Sequence, residues 1–207
     1  MNETAETSIQ PGCPESQSIM QIQLAEYQAL TTRITYWITL QFSVIPITGG
    51  ALLLLAGVGK LFPPTFAIWS AAAVLEIGIG AYFYTIYEMM SNAEYIECEL
   101  ARRIRTALPG APVWQYELFK KGSHVYSPVG IYLMMAPSIS IPFVALWLHK
   151  QYWPPLYGVG DTLGSVICVG LSVVAFIIAR KGSLAQKRLW ECAGSAGELL
   201  AQEAHRK

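Results

Sequence analysis

From Ile19 onward, helical patterning of polar and apolar positions gives way to long runs from which polar residues almost vanish. "IMQIQLAEYQALTTRITYW" places Leu24, Tyr27, Thr31 and Ile34 near helical spacing, and no Gly or Pro intervenes before Pro46. The pattern predicts a helix that begins in polar sequence and runs straight into apolar sequence. Residues 34–59 carry no charge between Arg33 and Lys60, and 61–87 carry only Glu76. Residues 125–148 are uncharged between His124 and His149, as are 162–179 between Asp161 and Arg180. A helix needs about 20 apolar residues to cross a hydrocarbon core, so these runs predict four spans: 36–58, 66–87, 127–148 and 162–179. "EMMSNAEYIECELARRIRTAL" continues the second helix past its apolar run. Glu99 precedes Arg102 and Arg103 there at separations that allow helical ion pairs, and Pro109–Gly110 ends the helix. "LAQKRLWECAGSAGELLAQEAHRK" reads as a further polar helix weakened by Gly194 and Gly197.

The expected fold class is therefore all-α: an integral membrane four-helix bundle of two transmembrane hairpins with cytoplasmic helical extensions. In chain order the expectation is a flexible tail at 1–18, a cytoplasmic helix at 19–35 and a first hairpin at 36–87. A cytoplasmic helical connection at 88–126, a second hairpin at 127–179 and a cytoplasmic C-terminal helix at 180–207 follow. The outer turns "GKLFPPTF" and "HKQYWPPLYG" share a double proline, the pattern of two similar units. Trp37, Trp69, Trp147 and Trp153 fall near predicted span ends, where indoles favour the interface.

Composition agrees, with 53% hydrophobic and 14% charged residues in a chain of 207, against about 25% charged in soluble domains. A formal net charge of zero hides an asymmetry. With the spans as read, twelve of the 14 Lys and Arg lie on one side and only Lys60 and Lys150 on the other. Basic residues flanking spans stay in the cytoplasm, which puts both termini and the 88–126 connection inside. The polar, acidic start of the chain lacks a basic-then-apolar secretory signal, so the first span is expected to serve as the anchor. Cys13, Cys98 and Cys192 fall on the cytoplasmic side and Cys168 within the fourth span, so free thiols are expected.

Glu76, in "SAAAVLEIGIGAYFY", is the eleventh residue of its span and lies near the bilayer midplane. A lone charge there costs about 2.5–3.5 kcal/mol on insertion scales. A cationic partner, protonation or a wet cavity would offset that cost, and no Lys, Arg or His falls within any span. Ala72, Glu76 and Gly80 are four apart, a face of small residues on which another helix can approach closely. Gly49 and Gly50 offer the same on the first span. At similar depth lie Thr48, Ser138, Ser140 and Ser172, hydroxyls that would satisfy a protonated carboxyl. Glu76 and these hydroxyls form either a proton or cation site, or a neutral interhelical hydrogen-bonding cluster that fixes packing. Because acids inside membranes are rare and by default suggest function, the first reading is favoured.

Other chemistries lack their residues. His124, His149 and His205 lie outside or at the ends of spans, which removes facing haem ligands, and no Cys-x-x-Cys pair is present. No metal site, cofactor, catalytic residue or nucleic-acid partner is expected. Asp161, the only aspartate, reads as a helix N-cap. Arg102, Arg103, Arg105, Lys120 and Lys121 form a basic cluster suited to anionic lipid headgroups, and "PVWQYELFKKGSHVY" suits a segment lying along a membrane surface. The stretches "LAEYQAL", "EYIECELARRI" and "VWQYELF" resemble, over roughly residues 24 to 120, uncharacterised small bacterial multi-pass inner-membrane proteins. That resemblance implies a bacterial inner-membrane setting and no catalytic residues. The leading expectation is a non-enzymatic, self-associating membrane component, a homo-oligomer acting as pore or anchor. Its cytoplasmic helices would receive a protein partner or signal. The alternative is a compact proton- or cation-coupled transporter built around Glu76.

Overall fold

A computed structural model describes residues 14–107, 128–152 and 158–205 of the chain. Helix α1 spans Pro14–Val58 and ends in a 3-10 turn, Gly59–Leu61. Helix α2 spans Pro64–Tyr95, with proline in its first turn where no backbone N–H is needed. It continues through a π-helical turn, Ile96–Leu100, into α3, Ala101–Ala107. Helix α4 spans Pro128–Tyr152 and α5 spans Val159–His205. Three stretches are long and apolar enough to cross a membrane: Met20–Val58, Pro64–Ile104 and Val159–Cys192. Helix α4 contains a shorter apolar stretch, Met135–Leu148. The described residues are thus all-helical, in four long helices and one short one.

The first and last helices both extend well into polar sequence. Helix α1 starts at Pro14, inside the stretch read as a tail, and α5 runs unbroken past Gly194 and Gly197 to His205. A glycine in a helix interior costs about 1 kcal/mol, which weakens a long helix without ending it. Cys13, residues 108–127 and Trp153 lie outside the described residues.

Helix α2 is the centre of the structure because of its spacing. Trp69, Ala72, Glu76, Phe83, Ile86, Met90, Ala93, Glu97 and Leu100 are all buried. With half-buried Ile79 between Glu76 and Phe83, they step by three and four residues, the repeat of a coiled-coil seam. The facing stripe on α5 contains Cys168, Ser172, Ala175, Ala179, Gly182, Gln186 and Leu189, whose small members let the two backbones come close. Neighbours across this seam are Thr65 with Gly160, Trp69 with Gly164, Gly80 with Ala175 and Tyr87 with Gly182. Further along are Glu94 with Arg188 and Cys98 with Cys192. Sequence numbers rise together in both helices, so α2 and α5 are parallel. Helix α1 runs antiparallel to α2, with Thr48 on Gly78, Trp37 on Tyr84 and Arg33 at 3.9 Å from Glu88. Helix α4 returns against the pair.

At 1.5 Å per residue, α1 and α5 are each roughly 70 Å long, about twice the 30 Å of a hydrocarbon core. The surplus lies at one end, and the described ion pairs collect there. Glu26 accepts a hydrogen bond of 2.8 Å from the Tyr95 hydroxyl, Glu94 pairs with Arg188 at 3.5 Å, and Glu99 pairs with Arg102 and Arg103. At the same end Cys98 and Cys192, expected as free thiols, are joined in a disulfide, while Cys168 is free. Two cysteines 94 residues apart meet because the parallel register carries one helix alongside the other at nearly that offset.

The close approaches give a first prediction. A Cβ on Gly164 would fall inside the Trp69 indole, whereas one on Gly170 would meet nothing within 4 Å. Gly164→Ala should destabilise the protein in detergent by about 1–3 kcal/mol, the usual cost of overpacking, and Gly170→Ala, which adds a methyl in open space to a helix interior, should leave it as stable or up to about 1 kcal/mol more stable. Thermal unfolding followed by intrinsic fluorescence distinguishes the two; equal midpoints would refute the packed seam.

Candidate functional site

The seam repeat that buries α2 also turns Glu76 inward, and the carboxyl is 1% exposed. Both its oxygens are engaged. The Ser138 hydroxyl on α4 donates to Oε2 at 2.5 Å, and the Ser172 hydroxyl on α5 donates to Oε1 at 2.9 Å. Three helices therefore meet at one carboxyl. By contrast, the buried Trp37 Nε1 and Gln186 Oε1 have no hydrogen-bond partner among the described residues.

Ser172 has more acceptors than hydrogens. Its Oγ also lies 3.2 Å from the Ser138 carbonyl oxygen and 3.0 Å from the Cys168 carbonyl oxygen. The Ser138 carbonyl lacks its usual partner because the residue four further along α4 is Pro142, which has no N–H. The single Ser172 hydroxyl hydrogen is thus within reach of both the Glu76 carboxyl and the Ser138 carbonyl, and among the described residues no cation pairs with Glu76.

This polar layer divides the apolar core. On one side Trp69, Ala72, Ala145 and Cys168 form one buried cluster. On the other, Phe83, Ile86, Met90, Met135, Ala175 and Ala179 belong to a second. All three helices change cluster at this level, at Glu76, Ser138 and Ser172, so the carboxyl is shut off from both ends of the molecule.

Beyond the first cluster, the Trp69 indole N–H donates to Asp161 Oδ1 at 2.9 Å, and the Gly158 N–H donates to Asp161 Oδ2 at 3.0 Å. Asp161 is the third residue of α5 and is 1% exposed. It was expected at the N-cap, but it reaches back to the cap residue from the helix's first turn, as in a capping box. Its partnership with Trp69 had no signal in the sequence beyond the indole's place near a span end.

The remaining expected site residues are spread out. Thr48 lies against Gly78, and the exposed Ser140 hydroxyl bonds back to the Pro137 carbonyl at 2.9 Å. Ala72 is buried, Gly80 has Ala175 at 3.9 Å from where a Cβ would be, and Gly49 and Gly50 face open space. Arg102 and Arg103 pair with Glu99 at 3.3 and 3.7 Å. Lys120, Lys121 and the Arg105 side chain lie outside the described residues. No group of three or more His, Cys, Asp or Glu that could hold a metal ion forms among the described residues. Protein-family models, curated proteins and solved structures were compared with this chain, and none matches it.

Ser138→Ala removes the donor to Glu76 Oε2 and should destabilise the protein by about 0.6–1.7 kcal/mol, the range for interhelical hydrogen bonds in membranes. Ser140→Ala, at an exposed and locally bonded hydroxyl, should stay within about 0.5 kcal/mol. Unfolding midpoints in one detergent compare them directly, and equal losses would argue against the carboxyl layer.

Proposed function

We propose that the chain is a non-enzymatic, four-span membrane protein that works by binding and releasing a proton at Glu76, as a compact proton-coupled transporter. The observation that carries this reading is the buried Glu76 carboxyl with one oxygen against the Ser138 hydroxyl and the other against the Ser172 hydroxyl. It is a titratable group held out of contact with water, between two apolar clusters, with no cation beside it among the described residues. Such acids within membrane-spanning helices pair, protonate or mark a transport path. On this reading the polar end of α1, α2 and α5 is cytoplasmic, because Arg33, Arg102, Arg103, Arg180, Lys181, Lys187 and Arg188 cluster there. The resemblance of "LAEYQAL", "EYIECELARRI" and "VWQYELF" supports a bacterial inner membrane.

A second reading keeps Glu76 as a neutral clasp in a self-associating pore or anchor that answers to a cytoplasmic partner. It is favoured by the open small-residue face of α1 at Gly49 and Gly50.

The two readings separate at position 76. Purified protein in vesicles should show the infrared carbonyl stretch of a protonated carboxylic acid, lost in Glu76→Gln. The Gln variant should fold and assemble normally but lose proton flux driven by a pH gradient. Unchanged flux in Glu76→Gln would reject the transporter and leave the clasp.

The orientation is tested independently. A membrane-impermeant maleimide applied to intact cells should label Leu61→Cys and Lys150→Cys but not Lys187→Cys. The reverse pattern would overturn the assignment of sides.

A further inference from the structure

Cys98 and Cys192 play no part in the carboxyl layer, and three observations set their disulfide apart from a static staple. Cys98 sits inside the π-helical turn Ile96–Leu100, the single break in regular α-helix between Pro64 and Ala107. Such turns are rare and recur at functional positions. Both cysteines are half-buried, within reach of a small thiol, whereas Cys168 is fully buried. The bond is also the last cross-link between α2 and α5 among residues whose side chains are described. Toward the core Ala93, Ile96, Ala185 and Leu189 are packed in one buried cluster, while the nearby Glu94–Arg188 ion pair, its arginine 67% exposed, holds little. Beyond Cys192, α5 continues to His205.

We propose that Cys98 and Cys192 form a redox-responsive clasp, closed by oxidation and opened by cellular thiols, that governs how firmly the polar ends of α2 and α5 are held together. This rests on the cytoplasmic orientation given above, since cytoplasmic thiols are kept reduced. A disulfide formed there reports an oxidising event. Closure is thiol–disulfide exchange with a low-molecular-weight disulfide. The Cys98 thiolate attacks one sulfur of that disulfide, forming a mixed disulfide and expelling one thiolate. The Cys192 thiolate then attacks the Cys98 sulfur and expels the second. Two protein thiols become one disulfide, and the small disulfide is reduced to two thiols. Opening is the reverse reaction, driven by excess small thiol or by a dithiol reductant.

The test uses the full chain with Cys13→Ser and Cys168→Ala, which leaves only the cysteine pair to be labelled. Intact cells are blocked with a permeant maleimide, before or after exposure to diamide, then lysed, reduced and labelled with a heavy maleimide that shifts gel mobility. Unstressed cells should give protein without heavy label, and diamide should add two labels, both absent in Cys98→Ser. In purified protein, trypsin should cut at Lys187–Arg188 several-fold faster after reduction, and Cys98→Ser should cut at the fast rate with or without reductant. A pair already oxidised in unstressed cells, with Lys187→Cys shielded from impermeant reagent, would overturn the clasp while leaving the orientation standing. The same pair oxidised with Lys187→Cys accessible from outside would overturn both. Failure of diamide to oxidise the pair, or equal trypsin rates in its two states, would also overturn it.

Discussion

The register between α2 and α5 is the constraint on which the rest of this structure depends. Two parallel helices with buried residues at alternating steps of three and four stay in contact over their whole common length. The partners of any one position are then fixed by a nearly constant offset. That offset brings Asp161 to Trp69, Ser172 to Glu76, Arg188 to Glu94 and Cys192 to Cys98. A slip of one turn would move Ser172 off the carboxyl, drive the Trp69 indole out of the space left by Gly164, and separate the two cysteines together. The glycines and alanines of α5 permit the approach, and the polar pairs choose which of several apolar registers is kept.

Within that seam the Glu76 layer does something an apolar core cannot. It divides one continuous hydrophobic interior into two clusters, each closed on its own by large side chains on α2 and small ones on α5. Packed apolar groups rearrange in discrete steps rather than deforming smoothly. The two prolines of α4, Pro137 and Pro142, flank Ser138 and remove two backbone hydrogen bonds from the helix that faces the layer. The helix carrying one partner of the carboxyl is thus also the one least constrained by its own backbone.

How much of this could be read from the sequence follows from what each signal measures. Uncharged runs report length, and axial rise converts position into depth, so Glu76, Ser138 and Ser172 could be set at one level from spacing alone. Depth says nothing about which way a side chain faces a neighbour. Thr48 shares the level yet lies on Gly78, and Ser140, two residues from Ser138, is turned away from the layer on α4. The parallel pairing of α2 with α5 was the missing step. Without it nothing linked Cys98 to Cys192, and the charge asymmetry pointed to free thiols instead. Asp161 was misplaced for a smaller reason: helix α5 begins at Val159, two residues ahead of it, so the side chain caps from within the first turn.

An amide at position 76 keeps nearly the same volume and could also hydrogen-bond the serines of α4 and α5, and interhelical hydrogen bonds in membranes average only about 0.6 kcal/mol. On the proposed reading an acid adds a second state, and the single Ser172 hydrogen, shared between the Glu76 carboxyl and the Ser138 carbonyl opposite Pro142, is what would tie that state to the packing of α2, α4 and α5.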